Sequence, residues 1–295
     1  MKLKRLNKED IKIFRKYLNE EYEHSPYSLS GIFLWDNCIW DIYWAEYENY
    51  LLISEILKNS NTKRLFLPLP YKEVIPEKLI EIIKNTDNKM IYYVTEDYLN
   101  KYRKKIEELF SIEENQGYSD YVYLSEDLAF LKGSKFSAKR NLIYQFEKNY
   151  LTDIKVEKIT KEKIDEIIEF SNMLFKRMQN DAMLECEIKA ISNIKELYDE
   201  IEFLGICIYI SGNLRGFALG SVLNKETCIL NFEKADKNIK GLYQFLDREF
   251  ARVVIKRFKY INKESDLGIE SLKKSKISYH PIKIIKSFIL KPLNI

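Results

Sequence analysis

The chain contains few of the residues on which several common chemistries depend. Its 295 residues include two His, four Cys, nine Gly and six Pro. The Cys show neither C-x2-C nor C-x4-C spacing, and two His cannot complete the set, so the sequence predicts no zinc site. So few Gly and Pro argue against a loop-rich or collagen-like chain. No run approaches the roughly 20 apolar residues of a membrane-spanning helix.

Signals for export are missing as well. The first seven residues are charged and include no apolar h-region, so we expect no signal peptide. The spacing of the Cys is not that of a small disulfide framework, and scattered free thiols are typical of a reducing compartment. We therefore expect a soluble cytoplasmic protein with free thiols at Cys38, Cys186, Cys207 and Cys228.

The motifs of several enzyme classes are also missing. The chain has no G-x-S-x-G, no G-x-x-x-x-G-K-[ST] and no H-E-x-x-H, which leaves a serine hydrolase, a P-loop kinase and a zincin without support. His280 precedes Pro281, which favours an extended backbone, and we interpret it as structural. Any chemistry therefore falls to carboxylates, Lys side chains and backbone amides.

The chain does contain enough apolar and charged residues for a folded protein. Hydrophobic residues make up 46% and charged residues 32%, which excludes intrinsic disorder. At about 100–200 residues per domain, the length predicts two domains or one large one.

The net charge of +3 conceals two basic segments. Residues 252–295 hold eleven Lys or Arg against three acids, a net charge of +8, and residues 131–150 hold five against one, a net charge of +4. The rest of the chain then carries −9. Such segments attract phosphate, nucleic acid or an anionic membrane surface. The alternative is a set of solvated Lys side chains.

The second half of the chain shows a legible order of elements. The predicted order is a basic helix over 134–150, a strand over 153–159, helices over 160–179 and 185–200, three strands within 206–232, a helix from Gly241 to about 257, a strand over 259–263, a short helix over 270–275 and closing strands within 281–290. This is the order of the Gcn5-related N-acetyltransferase (GNAT) fold, although another mixed α/β fold would give a similar one.

Two stretches at predicted strand ends are candidate sites. The first is the link between the third strand and the helix that begins at Gly241, and its candidate residues are Lys234, Lys240, Gly241 and Tyr243. Free backbone N–H groups and the helix dipole at this point suit a phosphate or carboxylate. The alternative is that the Gly only makes a turn. After the strand at 259–263, three polar residues alternate and would share one face of an extended chain. They are Asn262, Glu264 and Asp266. They would hold an ammonium group or a metal, or act as acid and base, or they only cap and turn.

A third candidate site combines the two basic segments. Its residues in the first segment are Lys139, Arg140 and Asn141, and in the second Lys273, Lys276 and Tyr279.

Four stretches in this order resemble a known family. They are Lys139-Arg140-Asn141; Phe232-Glu233-Lys234-Ala235 with Lys240-Gly241-x-Tyr243 behind it; Tyr260-Ile261-Asn262-x-Glu264-x-Asp266-Leu267-Gly268; and Leu272-Lys273-Lys274-Ser275-Lys276-x-Ser278-Tyr279-x-Pro281. Together they resemble the C-terminal domain family of phosphatidylglycerol lysyltransferases. The chain departs from the family at Lys273, where Arg is usual, and in lacking the membrane-embedded portion of the lipid-modifying enzymes.

The resemblance implies a fold and an activity. It implies a mixed α/β protein of two tandem GNAT-like domains, 1–128 and 129–295, each a mostly antiparallel twisted sheet flanked by helices. For characterised members it implies aminoacyl transfer from an aminoacyl-tRNA to a lipid head group. Lys139 and Arg140 would then suit a tRNA or lipid phosphate. Four residues would lie near the transferred amino acid as catalytic candidates: Glu233, Asn262, Glu264 and Asp266.

Three hypotheses follow for the function. The first is aminoacyl transfer from an aminoacyl-tRNA to an amine or hydroxyl acceptor, with tRNA and an anionic lipid head group at the membrane surface as candidate partners. The second is an N-acyltransferase that uses acyl-CoA as donor. The third is a non-catalytic binding protein of the same fold. The donor would be a substrate in either reaction, and no resident cofactor or metal is predicted.

Overall fold

The computed structural model describes residues 1–18, 22–58, 60, 62–150, 152–176 and 182–293, and only the backbone of 182–184. Within these ranges the strands are β1 (Lys4–Arg5), β2 (Trp40–Tyr47), β3 (Tyr50–Leu57), β4 (Lys63–Phe66), β5 (Ile91–Thr95), β6 (Phe110–Glu114), β7 (Asp120–Leu124), β8 (Ile154–Lys158), β9 (Phe203–Ile210), β10 (Asn213–Val222), β11 (Thr227–Ala235), β12 (Tyr260–Asn262), β13 (Lys283–Ile285) and β14 (Ser287–Pro292). The α-helices are α1 (Ile11–Tyr17), α2 (Leu29–Phe33), α3 (Pro76–Thr86), α4 (Glu96–Leu109), α5 (Ser125–Phe130), α6 (Ser137–Tyr150), α7 (Ile164–Lys176), α8 (Ala182–Leu197), α9 (Leu242–Val254) and α10 (Glu270–Ile277). The predicted end of the helix over 160–179, at 177–179, lies outside the described residues.

The first compact unit takes in Met1–Asp120, Ser265–Glu270 and Ile284–Ile295. Its described strands form a seven-stranded sheet in the order β1-β2-β3-β4-β5-β14-β6. β4 and β5 run parallel, whereas the other neighbours run antiparallel.

The second unit takes in Tyr121–Glu264 and Ser271–Lys283. Its described strands form a seven-stranded sheet in the order β8-β9-β10-β11-β12-β7-β13. β11 and β12 run parallel, and β8 to β11, like β12 and β7, pair antiparallel. Both sheets therefore follow one plan, in which a strand from elsewhere in the chain, β14 or β7, fills the sixth position. The predicted mixed α/β class with mostly antiparallel sheets is confirmed, and the boundary between residues 128 and 129 stays a prediction.

Helices cover both faces of the second sheet. α9 carries an apolar residue every three or four positions, and Leu242, Leu246 and Phe250 are buried in one cluster with Ala218 of β10. The next residue back along that strand, Phe217, contacts α7 instead, with its ring centroid 6.3 Å from that of Phe170. Because neighbouring strand residues point to opposite faces, α7 and α9 lie on opposite sides of the sheet.

Several elements differ from the prediction. β6 and β7 are not predicted, because Glu113, Glu114 and Asp120 interrupt the apolar alternation of these two strands. The basic helix begins at Ser137, since Ser134–Phe136 form a 3-10 turn. The expected thiols are free and buried at two positions, Cys207 and Cys228. At the other two, Cys38 and Cys186, the residues are disulfide-bonded, so that part of the expectation is wrong.

Candidate functional site

The parallel strands of the second sheet part at their carboxyl ends. β11 pairs with β12 over Thr227–Ile229, opposite Tyr260–Asn262. β12 ends there, whereas β11 continues to Ala235 along β10. Openings at the carboxyl ends of parallel strands are where α/β sheets collect ligands. The sequence places Glu233 and Lys234 in a loop, but both belong to this extension of β11.

A β-bulge adjoins the opening. Leu219 of β10 faces Phe232, and the next residue, Gly220, faces Leu230, so Asn231 is the extra residue. The Asn231 side chain makes a hydrogen bond at each end of its amide group. The Asn231 Oδ1 accepts a hydrogen bond from the Ser221 hydroxyl at 2.7 Å, and its Nδ2 donates to Glu264 Oε1 at 3.0 Å. The relay ties the segment after β12 to the bulge.

The opening contains a buried ion cluster centred on Lys263. Its Nζ lies 2.6 Å from Asp247 Oδ1 and 3.1 Å from Glu233 Oε2. The three side chains are 9%, 6% and 17% exposed. The Lys263 ammonium also lies 5.0 Å from the centre of the Tyr279 ring. Two carboxylates therefore share one ammonium away from bulk water.

Burial sets the protonation of this cluster. Desolvation, with the neighbouring Asp247 charge, raises the pKa of Glu233 to about 7, although Lys263 opposes the shift. Burial alone would lower the pKa of Lys263, but Asp247 and Glu233 outweigh it and raise that pKa above its usual range. Lys263 is therefore a fixed cation at neutral pH, whereas Glu233 exchanges its proton near pH 7.

The two basic segments meet beside this cluster. Lys139 of α6 donates to the Ser278 hydroxyl at 2.7 Å, and its ammonium lies 3.9 Å from the centre of the Tyr279 ring. Burial and the nearby Lys263 charge lower the pKa of Lys139. Lys276 donates to the Lys263 carbonyl oxygen. Lys139, Lys276 and Tyr279, three candidates from the sequence, thus lie around the ion cluster.

The remaining candidates with charged or amide side chains either make another contact or are exposed. The Arg140 guanidinium donates to the carbonyl oxygens of Leu131 and Gly133 at 2.5 and 2.6 Å, just after α5. Three further candidates have exposed side chains: Asn141, Lys240 and Lys273.

Gly241 has a structural reason to be Gly. It is the N-cap of α9 with φ of +84°, and a Cβ there would lie 2.2 Å from the Leu142 carbonyl oxygen of α6. Its role in phosphate binding stays a prediction.

The alternating carboxylates do not share an extended face. β12 ends at Asn262, and Glu264 has φ of +56°, so the chain turns there. The Asn262 Oδ1 accepts from the Glu264 N–H at 2.8 Å, and Asp266 Oδ1 accepts from the Gly268 N–H at 2.8 Å. Both are turn-forming contacts, and Asp266 belongs to the first unit. The expectation of one extended face is wrong, and the turn alternative describes this stretch.

A pocket of about 190 Å³ lies on the other face of β11, beside α7 and α8. Lys234 lines it and forms an ion pair of 2.5 Å with Glu187. Tyr243, in the first turn of α9, lines it as well. The other polar lining residues are Ser171, Asp236, Lys237 and Asn238, and the apolar ones are Leu174, Phe175, Ile188, Ile191 and Ala235.

Sequence reasoning missed Asp247, Lys263, Ser221 and Asn231. They come from different elements and share no local motif. Asp247 did carry a signal, because it stands on the apolar stripe of α9, three residues before Phe250. A buried acid on such a stripe requires a partner.

Within the described residues, no group of three or more His, Cys, Asp or Glu is arranged to hold a metal ion. None of their helices combines the length and apolar character needed to cross a bilayer.

The fold is GNAT-like. A tandem GNAT protein from the clavulanic acid biosynthesis pathway superposes with a TM-score of 0.52 at 8% identity, covering 99% of this chain and 98% of that one. The C-terminal domain of a putative lysylphosphatidylglycerol synthetase from Agrobacterium fabrum superposes with a TM-score of 0.66 at 10% identity, over 96% of this chain and 91% of that one.

The family follows from a match over most of the chain. The model of the family described as "Phosphatidylglycerol lysyltransferase, C-terminal" matches residues 20–291, and the chain belongs to that family. This confirms the resemblance seen in the sequence. A conserved protein of unknown function from Bacteroides thetaiotaomicron is 27% identical, with a TM-score of 0.85, over 98% of this chain and 99% of that one.

Proposed function

We propose that this GNAT-like protein transfers an aminoacyl group from an aminoacyl-tRNA to an amine or hydroxyl acceptor, with the chemistry in the second unit. The observation that carries the proposal is Glu233, a partly buried carboxylate whose pKa is raised to about 7 at the end of β11. A general base works best when its pKa lies near the working pH. Membership of a family described as phosphatidylglycerol lysyltransferases supports an aminoacyl group as the group transferred.

In the proposed step, the acceptor nitrogen or oxygen attacks the ester carbonyl of the aminoacyl-tRNA. Glu233 takes the proton from the attacking group as the new amide or ester bond forms. The bond from the carbonyl carbon to the terminal ribose oxygen breaks, and that oxygen receives the proton from Glu233. The Lys263 ammonium, whose Nζ lies 3.1 Å from Glu233 Oε2, holds the Glu233 carboxylate in place during the step. Positioning both substrates supplies the rest of the acceleration.

The basic segments support an anionic partner. Lys139, with the exposed Lys240 and Lys273, would contact phosphates of the tRNA or of an anionic lipid head group at the membrane surface. Binding through phosphates weakens steeply with salt. A gel shift with deacylated tRNA at two salt concentrations measures this directly, and no binding at low salt contradicts a tRNA donor.

The transfer assay supplies the protein with bulk tRNA charged with labelled amino acids and with a small-molecule and lipid extract as acceptor. Label that moves from tRNA into the extract faster than spontaneous hydrolysis supports the proposal. Glu233→Gln should abolish the movement, and Glu226→Gln, an exposed Glu after β10, is the matched control. A parallel reaction with labelled acetyl-CoA tests the second hypothesis. Acetyl transfer without aminoacyl transfer would contradict the proposal in favour of an acyl-CoA enzyme.

A further inference from the structure

The pocket beside α7 and α8 has the size and walls of a site for one apolar side chain. Its volume is about 190 Å³, and an apolar cavity of about 150 Å³ holds a benzene molecule. Leu174, Phe175, Ile188 and Ile191 form its apolar lining. Such walls reward burial of a branched aliphatic or aromatic group.

The two acids of the pocket already have partners. Glu187 is paired with Lys234 at 2.5 Å. Asp236 accepts hydrogen bonds from the backbone N–H and the side-chain amide of Asn238, at 3.1 and 3.0 Å, and its other oxygen lies 3.7 Å from the Arg215 guanidinium. A second ammonium group entering the pocket would therefore lose its hydration without gaining a carboxylate of its own.

The pocket lies close to the proposed base. Lys234 follows Glu233 in β11, so the two side chains point to opposite faces of one strand. Tyr243, in the first turn of α9, lines the pocket as well. The Cα atoms of Glu233 and Lys234 lie about 3.8 Å apart, so the proposed base and the pocket are at the same end of β11.

We propose that this pocket holds the side chain of the transferred amino acid and selects an uncharged apolar one over a cationic one. The inference rests on the proposed function, because the side chain is taken to be that of the aminoacyl donor.

The first test measures binding without any transfer. Methyl esters of L-leucine, L-phenylalanine and L-lysine carry the ester carbonyl of an aminoacyl-tRNA, and calorimetry with the full chain gives their affinities. The leucine and phenylalanine esters should bind at least about tenfold more tightly than the lysine ester, a typical discrimination for a hydrophobic pocket. Equal affinities, tighter binding of the lysine ester or no binding of any ester would overturn the proposal.

Pocket variants locate the bound group. Leu174→Phe fills the pocket and should weaken binding of the phenylalanine ester by about tenfold or more. Leu174→Asp adds a carboxylate and should reverse the preference toward the lysine ester. The control is Met173→Phe, half-buried on the same helix and outside the lining. If Leu174→Phe and Met173→Phe have the same effect, the side chain lies elsewhere and the proposal is wrong.

A transfer reaction separates this inference from the function on which it rests. With leucyl-, phenylalanyl- and lysyl-tRNA as donors, preferred transfer of lysine would overturn the pocket assignment and leave the aminoacyl transferase intact. Selective binding of the apolar esters with no transfer from any charged tRNA would overturn the function and support the pocket as an amino-acid site.

Discussion

The two sheets share one strand order but hold different polar clusters. In the first sheet, the cation is Arg64 of β4. Its Nη1 lies 4.0 Å from Glu55 Oε2 and donates to the Tyr118 hydroxyl at 2.9 Å. The guanidinium carbon lies within 4.1 to 5.3 Å of the centres of three aromatic rings, those of Trp40, Tyr92 and Tyr118.

The second sheet has a closer and more charged cluster. Lys263 contacts two carboxylates at 2.6 and 3.1 Å, beside an opening between parallel strands and a pocket on the other face of β11. In the first sheet, the Tyr93 hydroxyl donates to Glu55 at 3.0 Å, and Tyr93 itself has φ of +58°. The same strand order therefore holds a cation covered by aromatic rings in the first unit and an ion cluster beside a pocket in the second. We place the chemistry in the second unit.

The largest expected effect concerns the pH dependence of transfer. Because Glu233 must be deprotonated to act as base and its pKa is about 7, the rate should rise nearly tenfold from pH 5 to 6, then less steeply, and level off above pH 7 at roughly 100-fold its value at pH 5. Burial also raises the pKa of Glu55 to about 7, so Glu55→Gln is the control and should keep the same profile. Initial transfer rates across this range are the measurement. If the pH dependence of the transfer rate disappears in Glu55→Gln, the general base is Glu55 of the first unit, and the assignment to Glu233 is wrong.

The cations should differ in their contribution to stability. Lys263→Met leaves two buried carboxylates facing each other and should lower the free energy of unfolding by about 3–5 kcal/mol. Arg64→Met should cost less, because one carboxyl, Glu55, is left and can take up a proton near neutral pH. Denaturant unfolding at pH 7.5 measures both. A larger loss for Arg64→Met would reverse the comparison.

The first unit should show its own pH dependence in stability. The pKa of Glu55 is raised by burial from 4.5 to about 7, so the folded state holds a proton that the unfolded state releases. The contribution to stability is present below pH 4.5 and is lost as the pH rises to 7, by at most about 3 kcal/mol. Relative to wild type, Glu55→Gln should therefore be more stable at pH 8 than at pH 5. A constant difference in the free energy of unfolding would show that Glu55 has an ordinary pKa.

The smallest expected effect separates packing from ligand binding at Gly241. A Cβ there would lie 2.2 Å from the Leu142 carbonyl oxygen, so Gly241→Ala should lower the free energy of unfolding by about 2 kcal/mol. Gly212→Ala, also at positive φ but with nothing within 4 Å, is the control and should cost about 1 kcal/mol. Unchanged stability with weaker tRNA binding would instead assign Gly241 to the ligand.

Sequence patterns predict the fold better than the site. α9 is predictable because its apolar residues recur every three or four positions, and the hairpin of β9 and β10 because Ser211 and Gly212 form its turn at positive φ. The ion cluster is not predictable in this way, since Glu233, Asp247 and Lys263 come from three elements. The family-like motif identifies Glu233, although the strand pattern places this residue in a loop.

The failures have physical causes too. The bulge at Asn231 adds one residue to β11, so the residues after it point to the opposite face from the one that simple alternation predicts. No local sequence pattern predicts this bulge. The alternation of Asn262, Glu264 and Asp266 predicts a shared face only if the chain is extended, and the positive φ of Glu264 ends that alternation.

The most direct test of a reactive second unit is transfer from charged tRNA by two isosteric variants measured side by side. Glu233→Gln removes the proposed base from the second unit, and Glu55→Gln makes the same change at the buried carboxyl of the first. The account predicts that the rate falls by about 10²–10⁴-fold in Glu233→Gln and stays within about twofold of wild type in Glu55→Gln. Full activity in Glu233→Gln, or an equal loss in both, would contradict it.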